Sequence, residues 1–95
     1  MPQPDTAEPL HPYVVRTPGT CGGRARIDGS RIAVWFVARL IVQGGLTPEE
    51  FVDEYPGVGL AEVHDALAFF RDHREEIERD LREEEDARPK RRPRA

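Results

Sequence analysis

The run TPEEFVDEYPGVGLAEVHDALAFF, residues 47–70, decides the fold. Thr47 is a strong helix cap, because its hydroxyl accepts from an unpaired N–H of the first turn. Pro48 suits the first helical position, where its missing N–H costs nothing. Glu50 stands three residues beyond Thr47 and reaches back to the cap, which completes a capping box. Phe51, Val52 and Tyr55 point inward, and Pro56-Gly57 stops the helix after about nine residues. A third helix begins after Gly59, with Leu60, Val63, Leu67 and Phe70 on one apolar stripe and Ala66 beside it. Two short helices joined by the turn Pro56 to Gly59 form a helix-turn-helix pair.

The preceding segment is also helical. Val34, Val37, Ala38 and Ile41 follow the i, i+3, i+4, i+7 spacing of one buried face. Trp35, Phe36 and Leu40 widen that face, and Gly44-Gly45 ends the helix. Upstream lie two short β-like runs, Tyr13 to Arg16 and Arg24 to Ile27, separated by the breakers Pro18-Gly19 and Gly22-Gly23. Strands this short need a partner layer, and pairing within one chain or between two chains is left open.

Beyond the helix pair, the helical signal continues from Arg71 to Ala87. Only Ile77 and Leu81 are apolar there, and i, i+4 pairs such as Glu75–Arg79 and Glu78–Arg82 support it. The expected organisation is a disordered leader over 1–12 that is not a signal peptide, and a helix-turn-helix-like domain over 13–77. An acidic helix extension over 78–87 and a basic flexible tail over 88–95 follow. The fold class is mainly α: a three-helix, winged-helix-like domain with a short N-terminal β segment and an extended C-terminal helix.

Charge is segregated along the 95 residues. Residues 1–46 carry five arginines against three acids, residues 47–87 four arginines against fifteen acids, and residues 88–95 five bases and no acid. The net charge of −4 argues against a general nucleic-acid binder, and the segregation points to separate surfaces for separate partners. The single cysteine, Cys21, rules out an internal disulfide and fits a reducing cytoplasm. No apolar run approaches the roughly 18 residues of a membrane span.

The residue types that carry chemistry do not assemble. Cys21, His11, His64 and His73 lack the short paired spacing that zinc requires. There is no Ser-His-Asp set, no phosphate-cradling loop and no paired-carboxylate cleft. The chain reads as a binding protein without a catalytic site, metal or cofactor.

Where it binds is legible in part. Any contact with DNA draws on Arg24, Arg26, Arg31, Arg39 and the basic tail, with His64 and Arg71 on the outer face of the third helix. That face also carries Glu62 and Asp65, which oppose phosphates. Arg31 reads as structural, an ion pair or carbonyl cap tying the Gly29-Ser30 turn to the third helix, with a phosphate or partner contact as the alternative. Trp35 and Phe36 are adjacent, so either one anchors an interface or both are wrapped by the domain. Tyr13, Val15, Ile77 and Leu81 complete the expected partner or dimer surface. The acidic helix reads as a solvated face, or as a surface that neutralises a basic partner.

These residues resemble a widespread bacterial family, domain-of-unknown-function family 433, also called Vap-type antitoxin-like. The resemblance rests on Cys21-Gly22-Gly23-Arg24, Ile27, Gly29-Ser30-Arg31-Ile32-Ala33-Val34, and Gly45-Leu46-Thr47-Pro48-Glu49-Glu50. Tyr55-Pro56, Val63 with Ala66-Leu67, and Asp72-His73 extend it, so that it spans about Val14 to Ile77. Departures are Ser30 for Thr, Ala33 for Pro, Ala25-Arg26 for a Pro–hydrophobic pair, and Gly59 where a Thr or Ser cap is common. The resemblance implies a helix-turn-helix-like antitoxin that neutralises a PIN-like nuclease toxin and represses its own operon by binding operator DNA. A cytoplasmic homodimer is the implied form. The alternative is a protein-interaction and dimerisation module that never touches DNA.

Overall fold

The computed structural model describes residues 8–87; residues 1–7 and 88–95, with most of the expected leader and all of the expected basic tail, lie outside the described residues. Three short antiparallel strands, β1 (Glu8–His11), β2 (Val14–Arg16) and β3 (Arg26–Ile27), form a sheet in the order β1-β2-β3. Val14 lies opposite Ile27 and Val15 opposite Arg26, so the two expected β segments pair within one chain.

The expected leader through residue 12 is corrected, because Glu8–His11 is a strand. Its proline-rich composition suggests disorder, but an edge strand tolerates Pro9. Long-range contacts then fix its end. Nδ1 of His11 lies 2.7 Å from Oδ1 of Asp65, and the Tyr13 N–H donates to Oδ2 of Asp65 at 2.8 Å.

After β3 the chain turns through Asp28-Gly29-Ser30, where Gly29 takes φ +80°. The Ser30 hydroxyl donates to the Ile27 carbonyl at 2.8 Å and accepts from the Ile32 N–H at 3.0 Å. This locks the turn that feeds α1 (Val34–Val37), which runs on without interruption as a π-helical segment, Ala38–Gln43. The segment stops where the sequence predicts. A Cβ at Gly44 would lie 2.7 Å from the Leu40 carbonyl oxygen, and Gly45 adopts φ +81°.

The capping box forms as read: the Glu50 N–H donates to Oγ1 of Thr47 at 3.0 Å, and the Thr47 N–H donates to Oε1 of Glu50 at 2.9 Å. It opens α2 (Pro48–Glu54), which is seven residues long. Helix α3 (Leu60–Asp72) follows a tight turn, and the Gly59 N–H donates to Oε1 of Glu62 at 2.6 Å. Glu62 thus supplies the reciprocal half of a cap that glycine itself cannot.

Helix α3 is the central element, touching α1, α2, β2 and β3. Because it is covered from both sides, its buried face is wider than the single stripe expected. Val63, Ala66, Phe69 and Phe70 are buried, Leu67 is half-buried, and Leu60 is 40% exposed. Phe69, which lies off the expected stripe, is fully buried, whereas Leu60 at the first position of the helix is not.

The helical signal after Arg71 is interrupted once. His73 closes α3 with φ −130° and ψ 45°, and α4 (Arg74–Ala87) starts anew and packs against α1. Ile77 and Leu81 join the core cluster with Val34, Val37, Phe51 and Phe69. Burial of a side chain such as Ile77 is worth about 1.5–3 kcal/mol, so two apolar residues suffice to dock a helix that is otherwise charged.

Candidate partner-binding surface

Helix α4 sets the electrostatics of the molecule. Glu76, Asp80, Glu83 and Glu84 fall at i, i+4, i+7 and i+8, which places them on one flank of the helix beside its apolar stripe. That flank meets two arginines from the N-terminal half. Arg16 of β2 is hydrogen-bonded to Glu76. Arg24, just beyond the helical turn Cys21–Gly23, is hydrogen-bonded to Glu84, reaches Glu83 at 2.9 Å, and places its Nε 3.5 Å from Oδ1 of Asp80. On the opposite flank, Nη2 of Arg39 lies 3.9 Å from Oε2 of Glu85. The acidic helix is therefore not simply a solvated face. Nor are the local pairs expected for Glu75–Arg79 and Glu78–Arg82 among the described ion pairs, where Glu78 faces Arg74 instead, at 3.5 Å.

Asp80 is buried, and that burial pushes its carboxyl pKa up. Arg24 and Arg79 oppose the shift, whereas Glu76 and Glu83 add to it. Arg24 moves the other way from its own burial, which would lower its pKa: hydrogen bonds to Glu83 and Glu84 and the charges of Asp80 and Glu84 raise it. The pair is held by a buried acid that ionises reluctantly and a cation surrounded by carboxylates.

The remaining expected DNA contacts are scattered. Arg26 is only 9% exposed, and its guanidinium turns inward to the Ser30 carbonyl at 2.9 Å and Oγ1 of Thr17 at 2.7 Å. It braces the turn below α1 and does not face a phosphate. His64 and Arg71 are exposed on α3, as expected, but Asp65 beside them is engaged by His11 and Tyr13. Arg31 is exposed and makes no ion pair among the described residues, so the structural tie to the third helix is corrected. Only its carbonyl is engaged, accepting from the Cys21 thiol at 3.3 Å.

The expected partner surface also divides. Val15, Ile77 and Leu81 are buried in the chain's own interior and so are corrected as interface residues. A strand pair covers Val15, and docking of α4 covers the other two. Tyr13 is 40% exposed. Trp35 and Phe36 are both half-buried and pack edge to face, with ring centroids 5.9 Å apart. Phe36 continues inward to Tyr55 at 5.4 Å, while the Arg39 guanidinium sits 5.4 Å from the Trp35 ring centroid.

Between these elements lies a groove of about 280 Å³, lined by Cys21, Arg31, Ile32, Ala33, Trp35, Phe36 and Glu84. Its lining is mainly apolar, and Arg31 and Glu84 are its two charged residues. Of its lining, only Arg31, Trp35 and Phe36 are legible as site residues from sequence. Glu84 is invisible there because α4 reaches it from the far end of the chain. The one local signal is the Cys21-Gly22-Gly23 motif, in which all three residues take positive φ, 53°, 65° and 79°. A cysteine in that region is strained, since it favours glycine.

The family model described as "Protein of unknown function (DUF433)" matches residues 14–70, more than half of the chain. The chain belongs to the DUF433 family. A crystal structure of a DUF433 member protein from Anabaena variabilis ATCC 29413, solved at 2.00 Å, is similar to it, with a TM-score of 0.68 and 33% sequence identity. The match covers 73% of this chain and 67% of that one. No curated protein matches this chain. The matched span of the DUF433 domain ends at Phe70, so α4, with its carboxylate flank, lies outside it. No group of His, Cys, Asp and Glu that could hold a metal ion occurs among the described residues, and no described helix is long and apolar enough to cross a membrane.

Proposed function

We propose that this DUF433 protein is an antitoxin-type regulator that acts chiefly through protein contact, neutralising a PIN-like nuclease toxin without a catalytic step of its own. The observation that carries this reading is the contrast between its charged and apolar surfaces. Arg16, Arg24 and Arg39 face α4 carboxylates and Arg26 turns inward, whereas the groove beside Trp35 and Phe36 is open. Binding to DNA draws most of its strength from cations at phosphates. Protein interfaces instead centre on aromatic anchors and arginine. The toxin as partner follows from the family resemblance, and a homodimer remains part of the proposal through the same aromatic surface.

A second reading has its own support. Helix α3 follows α2 through a short turn, as a recognition helix does, and His64 and Arg71 are exposed on it. On that reading the protein also represses its operon.

Co-expression with an adjacent PIN-like gene, followed by purification on a tag carried by one partner only, tests the main reading. The expected result is a stable complex with the nuclease silenced. Failure to co-purify, with nuclease activity unchanged by excess DUF433 protein, overturns it. A gel-shift titration on the upstream region at moderate salt decides the second reading, with and without the toxin.

A further inference from the structure

We propose that the groove between the Cys21–Gly23 turn and α1 receives a bulky aliphatic side chain of a partner protein, followed directly by a carboxylate that pairs with Arg31. This deepens the protein-contact reading and rests on it.

The size of the groove sets the scale. At about 280 Å³ it falls just under the roughly 300–1,000 Å³ of pockets that enclose whole small-molecule ligands. One inserted side chain with its flanking backbone suits it better than a cofactor. Ile32, Ala33, Trp35 and Phe36 supply apolar walls, which favour an aliphatic group over water. Trp35 is steadied for this contact, because Arg39 lies against its ring and Phe36 meets it edge to face.

Charge selects the neighbouring residue. The groove has two charged lining residues, Arg31 and Glu84. Glu84 is answered by Arg24, which also holds Glu83 and Asp80. Arg31 is exposed and has no ion pair among the described residues, so the unanswered charge in the lining is positive. A guanidinium binds a carboxylate through two parallel hydrogen bonds. The occupant is therefore an aliphatic–acidic step in the partner's sequence.

Trp35 is the sole tryptophan and lines the groove, so its emission reads occupancy of the intact chain directly. The probes are the blocked dipeptides acetyl-Leu-Asp-amide, acetyl-Leu-Asn-amide and acetyl-Gly-Asp-amide. A saturable emission change in the millimolar range is expected for the first. The other two bind about tenfold more weakly or not at all, each lacking one half of the recognition. Arg31→Gln lowers affinity for acetyl-Leu-Asp-amide about tenfold while far-UV circular dichroism and the melting temperature stay unchanged. No saturable change with acetyl-Leu-Asp-amide, equal binding of all three probes, or indifference to Arg31→Gln each overturns the assignment. Peptide binding without toxin capture removes the toxin and keeps the groove. Toxin capture that Arg31→Gln leaves intact, without peptide binding, removes the groove and keeps the toxin.

Discussion

Helices α2 and α4 are both acidic, yet they are set in place by different physics. Helix α2 is specified by its own residues: Thr47, Pro48 and Glu50 start it, and Pro56 and Gly57 follow its end. Helix α4 is specified by residues far away in sequence. Its docking depends on Ile77 and Leu81 reaching a core built from other elements, and its carboxylates answer Arg16 and Arg24 across 59 or 60 residues. Local signals thus fix where α2 starts and stops, whereas only distant contacts place α4, and mutations separate the two regimes.

The largest expected effect is at the α4 anchor. Ile77 is fully buried, so Ile77→Ala removes both transfer energy and packing and is expected to destabilise the protein by about 2–4 kcal/mol in urea denaturation. If α4 were held mainly by its ion pairs, the loss would be well under 1 kcal/mol. Next comes Arg24→Ala, which leaves Asp80 buried without its cation. A cost of about 1–3 kcal/mol is expected, less than for a fully enclosed pair because Arg24 keeps 21% of its side chain exposed. The double variant Arg24→Ala, Asp80→Asn should recover part of that loss, and an additive double variant would break the claim that the two residues are coupled. The local region responds less. Thr47→Ala removes one cap bond at an exposed helix start and is expected to cost about 1 kcal/mol, seen as a lowered melting temperature. A loss as large as that of Ile77→Ala would erase the proposed contrast.

The same contrast explains what was legible from sequence. The capping box, the stops at Gly44-Gly45 and Pro56-Gly57, and the buried face of α1 follow from residue types at short spacing. Phe69 is buried and Leu60 is not, because periodicity marks a stripe but does not say how many neighbours will cover the helix or its first turn. Glu8–His11 reads as a leader because its tie to Asp65 crosses more than 50 residues. Arg26 reads as a free cation until Thr17 and the Ser30 carbonyl are placed around it. Of the groove, the aromatic pair and Arg31 can be singled out, but Glu84 cannot. Glu84 belongs to a charge run whose members look alike until α4 docks with one flank inward.

The smallest effect is a pH dependence confined to that flank, and its sign follows from the burial of Asp80. Its carboxyl titrates above the ordinary value of 3.8, because burial disfavours the charged form. On acidification the folded protein therefore takes up this proton before the unfolded chain does. Stability changes with pH in proportion to protons bound by the unfolded state minus those bound by the folded state. That difference is negative between the two pKa values, so this group adds stability as pH falls through its folded pKa, and the gain is lost as pH rises again. Asp80→Asn has no such proton. Comparing wild type with Asp80→Asn in urea from neutral pH down to about pH 4 isolates the group from other carboxylates. Wild type should gain on the variant as the pH drops. A gain in the opposite direction would mean that Arg24 outweighs burial, making the flank an ion pair that stabilises its acid rather than a helix docked by its apolar stripe.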